Sequence, residues 1–159
     1  MSRPSHSKSR LILLGLFFCA VVAAYFFSSP KKVISPNHDL KTGMVTVSDK
    51  TINVYLAESI NEKEAGLSVF DSLPADWGML FVFDSPQIPG FWMNGMKFAI
   101  DIIWIKNNQV VEITKNLPVE SNAGLAKYYP NMEIDRALEV NAGWAEENNI
   151  KIGDNITQS

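Results

Sequence analysis

The chain has 159 residues, which is enough for one domain with one hydrophobic core. Three of its 14 Lys and Arg residues lie among the first ten positions, so the remainder, with 17 Asp and Glu, has a net charge of about −6. This negative charge argues against nucleic acid and anionic lipid headgroups as partners of the domain. Small ligands and other proteins stay as candidates.

An uninterrupted apolar run at residues 11–27 follows these basic residues and predicts an N-terminal hydrophobic helix that acts as an export signal. The run is at the short limit for crossing a membrane. Because Tyr25, Phe26 and Phe27 keep it apolar where a cleavage region becomes polar, the sequence favours an uncleaved signal-anchor over a cleaved signal peptide. We therefore expect a single-pass inner-membrane protein with a periplasmic C-terminal domain. Secretion to the periplasm after cleavage is the alternative.

The chain divides into three predicted segments. Residues 1–29 form the signal-anchor or signal peptide, residues 30–42 form a linker with two prolines, and residues 43–159 form the domain. Both histidines and the only cysteine lie outside that domain: His6, His38 and Cys19. The domain therefore lacks the side chains for Ser-His-Asp or Cys-His catalysis, for ordinary zinc, haem or iron–sulfur sites, and for disulfides. We expect no cofactor.

The first half of the domain contains strand and turn signals with one short helix. Residues 53–57 have a β-type pattern, and Ser59 with Glu62 forms a capping box that opens a helix. A turn-rich segment then precedes an apolar run at residues 79–83, which predicts a strand buried on both faces. Two prolines predict a loop at residues 84–90, because proline cannot donate to a strand ladder.

The second half of the domain has a clear hairpin signal. Residues 100–105 and 109–114 are predicted strands, and Asn107 and Asn108 between them tolerate the positive φ of a tight turn. Residues 116–133 form the longest irregular stretch, which predicts a surface excursion of the kind that often has a functional role.

The last third of the domain completes the predicted fold. Residues 137–140 form a strand, residues 142–148 form a short helix, and residues 150–156 end the chain with a turn. Strands outnumber helices, and no β-α-β alternation is visible. The sequence therefore predicts an α+β, mostly β fold: a compact antiparallel, barrel-like sheet with two short helices, preceded by the N-terminal hydrophobic helix.

Several short motifs follow one another in the domain: Glu64-Ala65-Gly66-Leu67, Leu73-Pro74, residues 78–83, Phe91-Trp92-Met93, Asp101, Val111 and residues 138–144. In this combination the chain resembles the DUF192 family of small, mostly bacterial and archaeal proteins, whose members often have export signals. The resemblance covers most of the domain. It implies a compact, strand-rich fold and no particular activity.

The chain departs from the usual pattern of that family at two places. After Phe-Trp-Met the family typically continues Lys-Asn-Thr, whereas this chain has Asn94, Gly95 and Met96. The Arg that often follows the Gly-Leu helix is absent from residues 68–71. If polar residues at these places serve a shared activity, this member has lost or altered it.

Trp92 and Asp101 are the first candidate site residues. Trp92 is either an exposed platform on which a sugar ring or peptide stacks, or a core aromatic residue that plugs one end of the barrel. Asp101 lies in an apolar strand, where a carboxylate needs a partner. It either accepts hydrogen bonds from backbone N–H groups that fix a loop, or pairs with Glu139 or Asp135. Such a pair would act as acid and base or bind a hard cation.

Two further sets have a structural and a functional interpretation. Met93 and Met96 beside a tryptophan offer soft sulfur ligands for Cu(I), although buried methionine usually fills a core. Asn141 stands before the predicted helix, where it acts as an N-cap or contributes to an anion site at the helix N-terminus.

These candidates support three functional hypotheses. The first is a membrane-tethered, exported binding or accessory module that recognises a small ligand or an envelope protein. Its ligand-binding candidates are Trp92, Asn94, Asp101 and Asn141. The second is a hydrolase of envelope material that uses Asp101 and Glu139, and the third is a Cu(I) carrier that uses Met93 and Met96. The binding module needs only a shaped cleft and a few polar groups, so the sequence leans away from an enzyme.

Overall fold

A computed structural model describes residues 40–120 and 126–159 of the chain. The predicted N-terminal helix and most of the predicted linker lie outside the described residues. Within the two described ranges, no helix combines the length and the apolar character that a membrane crossing requires.

Nine strands and two short α-helices make up the regular structure of the described residues. The strands are β1 Thr42–Val47, β2 Lys50–Ala57, β3 Trp77–Gln87, β4 Phe91–Trp92, β5 Ile100–Lys106, β6 Gln109–Leu117, β7 Lys127–Tyr128, β8 Ile134–Asn141 and β9 Ile156–Gln158. The helices are α1 Ile60–Ala65, which a 3-10 turn at Gly66–Val69 follows, and α2 Trp144–Glu147.

Seven strands form one sheet in the order β6-β5-β8-β3-β2-β1-β9, while β4 and β7 pair separately. The large sheet curls into a half-barrel whose two edges meet at one end. There, the backbone N–H of Val110 donates to the carbonyl of Asp154 at 2.9 Å, and the N–H of Ile156 donates to the carbonyl of Asn108 at 2.8 Å. The prediction of a mostly β, barrel-like fold with two short helices is confirmed at this level.

One pair of strands differs from the prediction of an antiparallel sheet. Strands β2 and β3 are parallel, with Asn53 opposite Trp77 and Ala57 opposite Phe81. Parallel neighbours need a long crossover connection, and α1 with the 3-10 turn supplies it. The expectation of no β-α-β unit was therefore wrong: the helix was predicted, but no local signal shows that the strands on either side of it are parallel neighbours.

Local signals for the first helix and the hairpin are confirmed. The Ser59 hydroxyl accepts a hydrogen bond from the Glu62 backbone N–H at 3.3 Å, and the Glu62 carboxylate accepts one from the Ser59 N–H at 2.7 Å. Asn107 and Asn108 have φ angles of 50° and 64°, as a tight hairpin requires.

Strand β3 extends further than predicted, since residues 84–87 continue it instead of forming a loop. The register between β3 and β8 shifts between Val82 and Gln87. Such a bulge interrupts the ladder, so Pro86 is tolerated there without a backbone N–H. Strands β1, β4, β7 and β9 were also not predicted, and three of the four have only two or three residues.

Both faces of the central strands are buried. An inner cluster fills the half-barrel, and helix α2 contributes to it: Val45, Val47, Ile52, Val54, Leu56, Leu80, Ile103, Ile105, Val110, Leu138, Val140, Trp144, Ala145, Ile150 and Ile156. An outer cluster covers the opposite face: Ala57, Leu67, Phe70, Leu73, Met79, Phe81, Met93, Met96, Ile100, Ile102, Trp104, Leu117, Ile134 and Ala137. This two-sided burial decides the role of every polar side chain on β5 and β8.

Candidate functional site

A cavity of about 470 Å³ lies on the side of the outer cluster. Helix α1, the 3-10 turn, strand β3 and the chain around β4 form its walls. Its lining includes Lys63, Glu64, Ser68, Phe81, Phe83, Asp84, Phe91, Trp92, Asn94, Met96, Lys127 and Glu139. Cavities of this size are typical of small-ligand sites, and this one combines aromatic and aliphatic walls with a comparable share of polar groups.

Glu139 on β8 is the buried polar group of this cavity. Its side chain is only 5% exposed, and it lies between Met79 on β3 and Ile102 on β5, both members of the outer cluster. The Oε2 atom of Glu139 has no hydrogen-bond partner within the described residues. Burial among apolar groups raises the pKa of this carboxyl group to about 8, so it is protonated at neutral pH.

A glycine brings strand β3 close to Glu139. A Cβ atom at Gly78 would lie 2.7 Å from the Glu139 backbone oxygen and 3.1 Å from the Leu138 side chain. A larger residue would push β3 away from β8. Gly78 therefore allows β3 and β8 to approach closely on the face of the inner cluster, directly behind the Glu139 backbone.

Aromatic rings form much of the cavity wall. Phe81 and Phe91 pack edge to face, with ring centroids 4.9 Å apart. The Lys63 ammonium group lies 5.3 Å from the Phe83 ring centroid, and the Lys127 ammonium group lies 5.3 Å from that of Trp92. The aromatic faces at the mouth thus already contact cations of the protein itself.

Trp92 and Asn94 lie where the binding hypothesis placed them, at one cavity. Trp92 is 42% exposed, so the alternative of a core plug was wrong, and its role as a platform stays a prediction. The side chain directs outward because Phe91 and Met93 on either side of it are turned toward the outer cluster. A turn from Met93 to Met96, closed by a 3.2 Å backbone hydrogen bond, presents Asn94 to the cavity.

Asp101 has a structural role. Its side chain is fully buried, and it accepts backbone N–H bonds from Asn116 at 2.8 Å and from Ala145 at 3.1 Å. Asn116 lies in a bulge of β6 with a φ angle of 55°, and Ala145 lies in the first turn of α2. Asp101 therefore joins a strand bulge to a helix N-terminus, and the interpretation of backbone anchoring is confirmed.

The predicted pairing of Asp101 with Glu139 is wrong. In the register between β5 and β8, Asp101 lies opposite Val140 of the inner cluster, whereas Glu139 lies opposite Ile102 of the outer cluster. The two carboxyl groups therefore lie on opposite faces of the sheet. Asp135 is no better as a partner. It lies five residues along β8 from Val140, roughly 16 Å at the usual strand rise, and it accepts a hydrogen bond from the backbone N–H of Asn107 instead.

Asn141 is not the N-cap of α2. Gly143 holds that position with a φ angle of 88°, which favours glycine, and Asp101 supplies the bond to the first turn that the cap was expected to make. The Asn141 side chain instead donates to the backbone carbonyls of Leu73 and Pro74 at 3.1 and 3.2 Å. It fixes the end of β8 and does not line the cavity.

The two methionines proposed as copper ligands are both buried in the outer cluster. Met96 lines the cavity, whereas Met93 does not. Among the described residues, no group of three or more His, Cys, Asp or Glu side chains is arranged to hold a metal ion. Of the two sulfur ligands in the Cu(I) hypothesis, only Met96 therefore contacts the cavity.

A family model for DUF192, described as "Uncharacterized ACR", matches residues 43–158. The chain belongs to the DUF192 family.

Two solved structures share the fold. A protein of unknown function from Novosphingobium aromaticivorans DSM 12444 superposes with a TM-score of 0.70 at 26% identity, covering 82% of this chain and 94% of that one. A candidate transcription regulator from Sinorhizobium meliloti 1021 superposes with a TM-score of 0.69 at 23% identity, covering 77% and 97%. The comparison with curated proteins gives no match.

Four of the seven motifs noted in the sequence contribute residues to the cavity although they are far apart in the chain. Residues 64–67, Phe81, Phe91-Trp92 and Glu139 all line it. The places where this chain departs from the usual DUF192 pattern line it as well, through Ser68, Asn94 and Met96.

Several lining residues were not predicted as site residues, among them Lys63, Phe83 and Lys127. They come from α1, β3 and β7, and only the crossover and the short β4–β7 pairing bring these elements together. Glu139 was considered only as a partner for Asp101. An acidic residue within the apolar strand of residues 137–140 was, by itself, a signal for a buried carboxyl group.

We expect Asp101→Asn to lower the free energy of unfolding by about 2–3 kcal/mol, because an amide has one acceptor oxygen and leaves a buried backbone N–H without a partner. Urea denaturation measures this change. Asp71→Asn, at a position 94% exposed and paired only with Lys97 on the surface, is the matched control and is expected to change stability by less than about 0.5 kcal/mol. Equal effects of the two substitutions would contradict the anchoring role.

We expect the difference in unfolding free energy between Glu139→Gln and the wild type to grow as the pH rises. Between the ordinary glutamate pKa of 4.5 and the folded value of about 8, the folded protein keeps a proton that the unfolded chain has lost. The wild type therefore loses up to roughly 1.4 kcal/mol of stability per pH unit in this window, and the neutral amide does not.

Urea denaturation of both proteins at pH 5, 6, 7 and 8 tests this dependence. Taking the difference removes the contribution of the other acidic groups. A constant difference across the window would show that Glu139 titrates normally.

Proposed function

We propose that this DUF192 protein is an exported binding module that holds a small ligand in the cavity above Glu139. The single observation behind the proposal is the acidic side chain of Glu139, which is only 5% exposed among apolar residues and lines a cavity of about 470 Å³. A buried polar group without a partner is costly, and a fold that needed only stability would place an apolar residue there. A ligand that bonds to Glu139 removes this cost.

The mouth of the cavity supports binding as well. Trp92 presents an exposed ring, and Ile60, which also lines the cavity, is 74% exposed. Exposed apolar side chains next to a cavity favour the uptake of a ligand with an apolar part. Asn94 and Ser68 add neutral polar groups that orient such a ligand.

We infer the cellular location of the protein from its predicted N-terminal segment. The apolar run at residues 11–27 would hold the domain at the outer face of the inner membrane, within reach of envelope ligands and proteins. Fractionation of cells that express the full-length chain tests the tether, because an uncleaved anchor stays with the membranes and a cleaved signal releases the domain.

A hydrolase of envelope material is the second candidate, supported by one observation. Glu139 is protonated at neutral pH in a cavity that Glu64 and Asp84 also line, and an acid beside a carboxylate is the arrangement that glycoside hydrolysis uses. Glu64 or Asp84 would then take the role that the sequence analysis gave to Asp101 in this hypothesis.

A thermal-shift screen of the wild type and Glu139→Gln against sugars, peptidoglycan fragments, small carboxylates and small amines tests the proposal. A ligand of the cavity raises the unfolding midpoint of the wild type, equivalent to about 2.7 kcal/mol at a hundredfold excess over its dissociation constant, and raises that of the variant much less. Glu133→Gln, which changes an exposed carboxylate just before β8, is the control and responds like the wild type.

Two results would overturn the binding proposal. If a ligand stabilises the wild type and Glu139→Gln equally, its site is elsewhere. If peptidoglycan fragments are consumed during incubation with the wild type and not with Glu139→Gln, the protein is the hydrolase.

A further inference from the structure

The ligand class can be narrowed from the chemistry of the cavity, and this step depends on the proposed binding function. Glu139 is the buried ionisable group of the lining, and the sheet residues around it are apolar: Met79 and Phe81 on β3 and Ile102 on β5. Met96 approaches from the turn after β4. No described side chain donates a hydrogen bond to Oε2. A hydrogen-bond donor on a ligand in the cavity would complete Glu139.

Aromatic faces surround the same space. Phe81, Phe83, Phe91 and Trp92 all line the cavity. The negative faces of aromatic rings attract ammonium groups, as Lys63 on Phe83 and Lys127 on Trp92 already illustrate at 5.3 Å. A buried carboxyl group among aromatic rings is a suitable environment for a cation.

The charge of the domain favours a cation too. Residues 43–159 contain 16 Asp and Glu against eight Lys and Arg. The charged groups on the cavity wall are Lys63 and Glu64 from α1, Asp84 from β3 and Lys127 from β7, and these four cancel. The charge of a ligand that fits the interior therefore depends on Glu139. The net negative charge of the domain attracts cations to the protein.

We propose that the cavity binds an organic amine with an apolar body, whose ammonium group pairs with the Glu139 carboxylate while the body lies against Phe81 and Phe91. The exposed apolar residues at the mouth suit such a body. In the free protein the Glu139 carboxyl group is neutral at pH 7. An ammonium ligand that arrives charged must therefore displace this proton. The carboxylic acid and the ammonium ion become an ion pair, and one proton passes to the solvent.

Three probes of similar shape test this class: phenethylamine as the cation, 2-phenylethanol as the neutral isostere and phenylacetate as the anion. Binding to the full-length protein is followed by calorimetry at pH 7 in phosphate and in Tris, whose different ionisation enthalpies report the protons released. We expect phenethylamine to bind roughly tenfold or more tightly than the other two, with release of about one proton.

Glu139→Gln provides the matched variant, since the amide keeps the shape and cannot ionise. We expect it to bind phenethylamine no better than 2-phenylethanol and to release no proton. The exposed Glu133→Gln is the control and is expected to match the wild type in both affinity and proton release.

The outcomes separate this inference from the proposed function. If 2-phenylethanol or phenylacetate binds the wild type as tightly as phenethylamine, and Trp92→Phe weakens that binding, the cavity is a ligand site and the amine class is wrong. Tight phenethylamine binding without proton release would also overturn the ion pair with Glu139. If none of the three probes binds, both the amine class and the binding function fail.

Discussion

The structure depends on one constraint, the burial of both faces of β5 and of the parts of β3 and β8 at the centre of the sheet. A polar side chain on these strands must find a partner inside the protein or face a cavity. Asp101 meets the first condition, because each of its oxygens accepts a backbone N–H, from Asn116 and from Ala145. Glu139, on the neighbouring strand and the opposite face, meets the second. Two acidic residues that look alike in the sequence thus have different roles.

This difference explains which features of the structure could be predicted from the sequence. The capping box at Ser59 and Glu62 and the hairpin at Asn107 and Asn108 are confirmed, because each rests on interactions between residues close in the chain. The partners of Asp101 lie 15 and 44 residues away, and no local pattern identifies them. The face on which Glu139 lies depends on the register between β5 and β8, which a sequence motif does not reveal.

The candidate site was only partly predictable for the same reason. Trp92 was identified because it lies in a segment close to two prolines, and Asn94 because it departs from the usual family pattern. Lys63, Phe83 and Lys127 come to the cavity through the parallel β2–β3 crossover and the two-residue strands β4 and β7. Those elements are too short for periodicity to reveal. Asn141 and Asp101 resembled ligand-binding residues because anchoring a backbone and binding a ligand use the same side chains.

The family relationship links the cavity to the sequence motifs of DUF192. DUF192 motifs from four parts of the chain meet there, and so do the positions at which this member departs from the usual pattern. A common scaffold with a varied lining is the way in which one fold serves different ligands. The Asn94 and Met96 positions would then adjust which ligand this member accepts, while Glu139 and the aromatic wall fix how it is held.

The most direct test of this account is an NMR pH titration of the Glu139 side-chain carboxyl carbon in the ligand-free protein. The account predicts a midpoint near the value of about 8 that burial imposes, so that the carboxyl group is neutral and unpaired at the floor of the cavity. A midpoint at the ordinary glutamate value would show that Glu139 is hydrated or already paired. That result would contradict its role as the group that awaits a ligand.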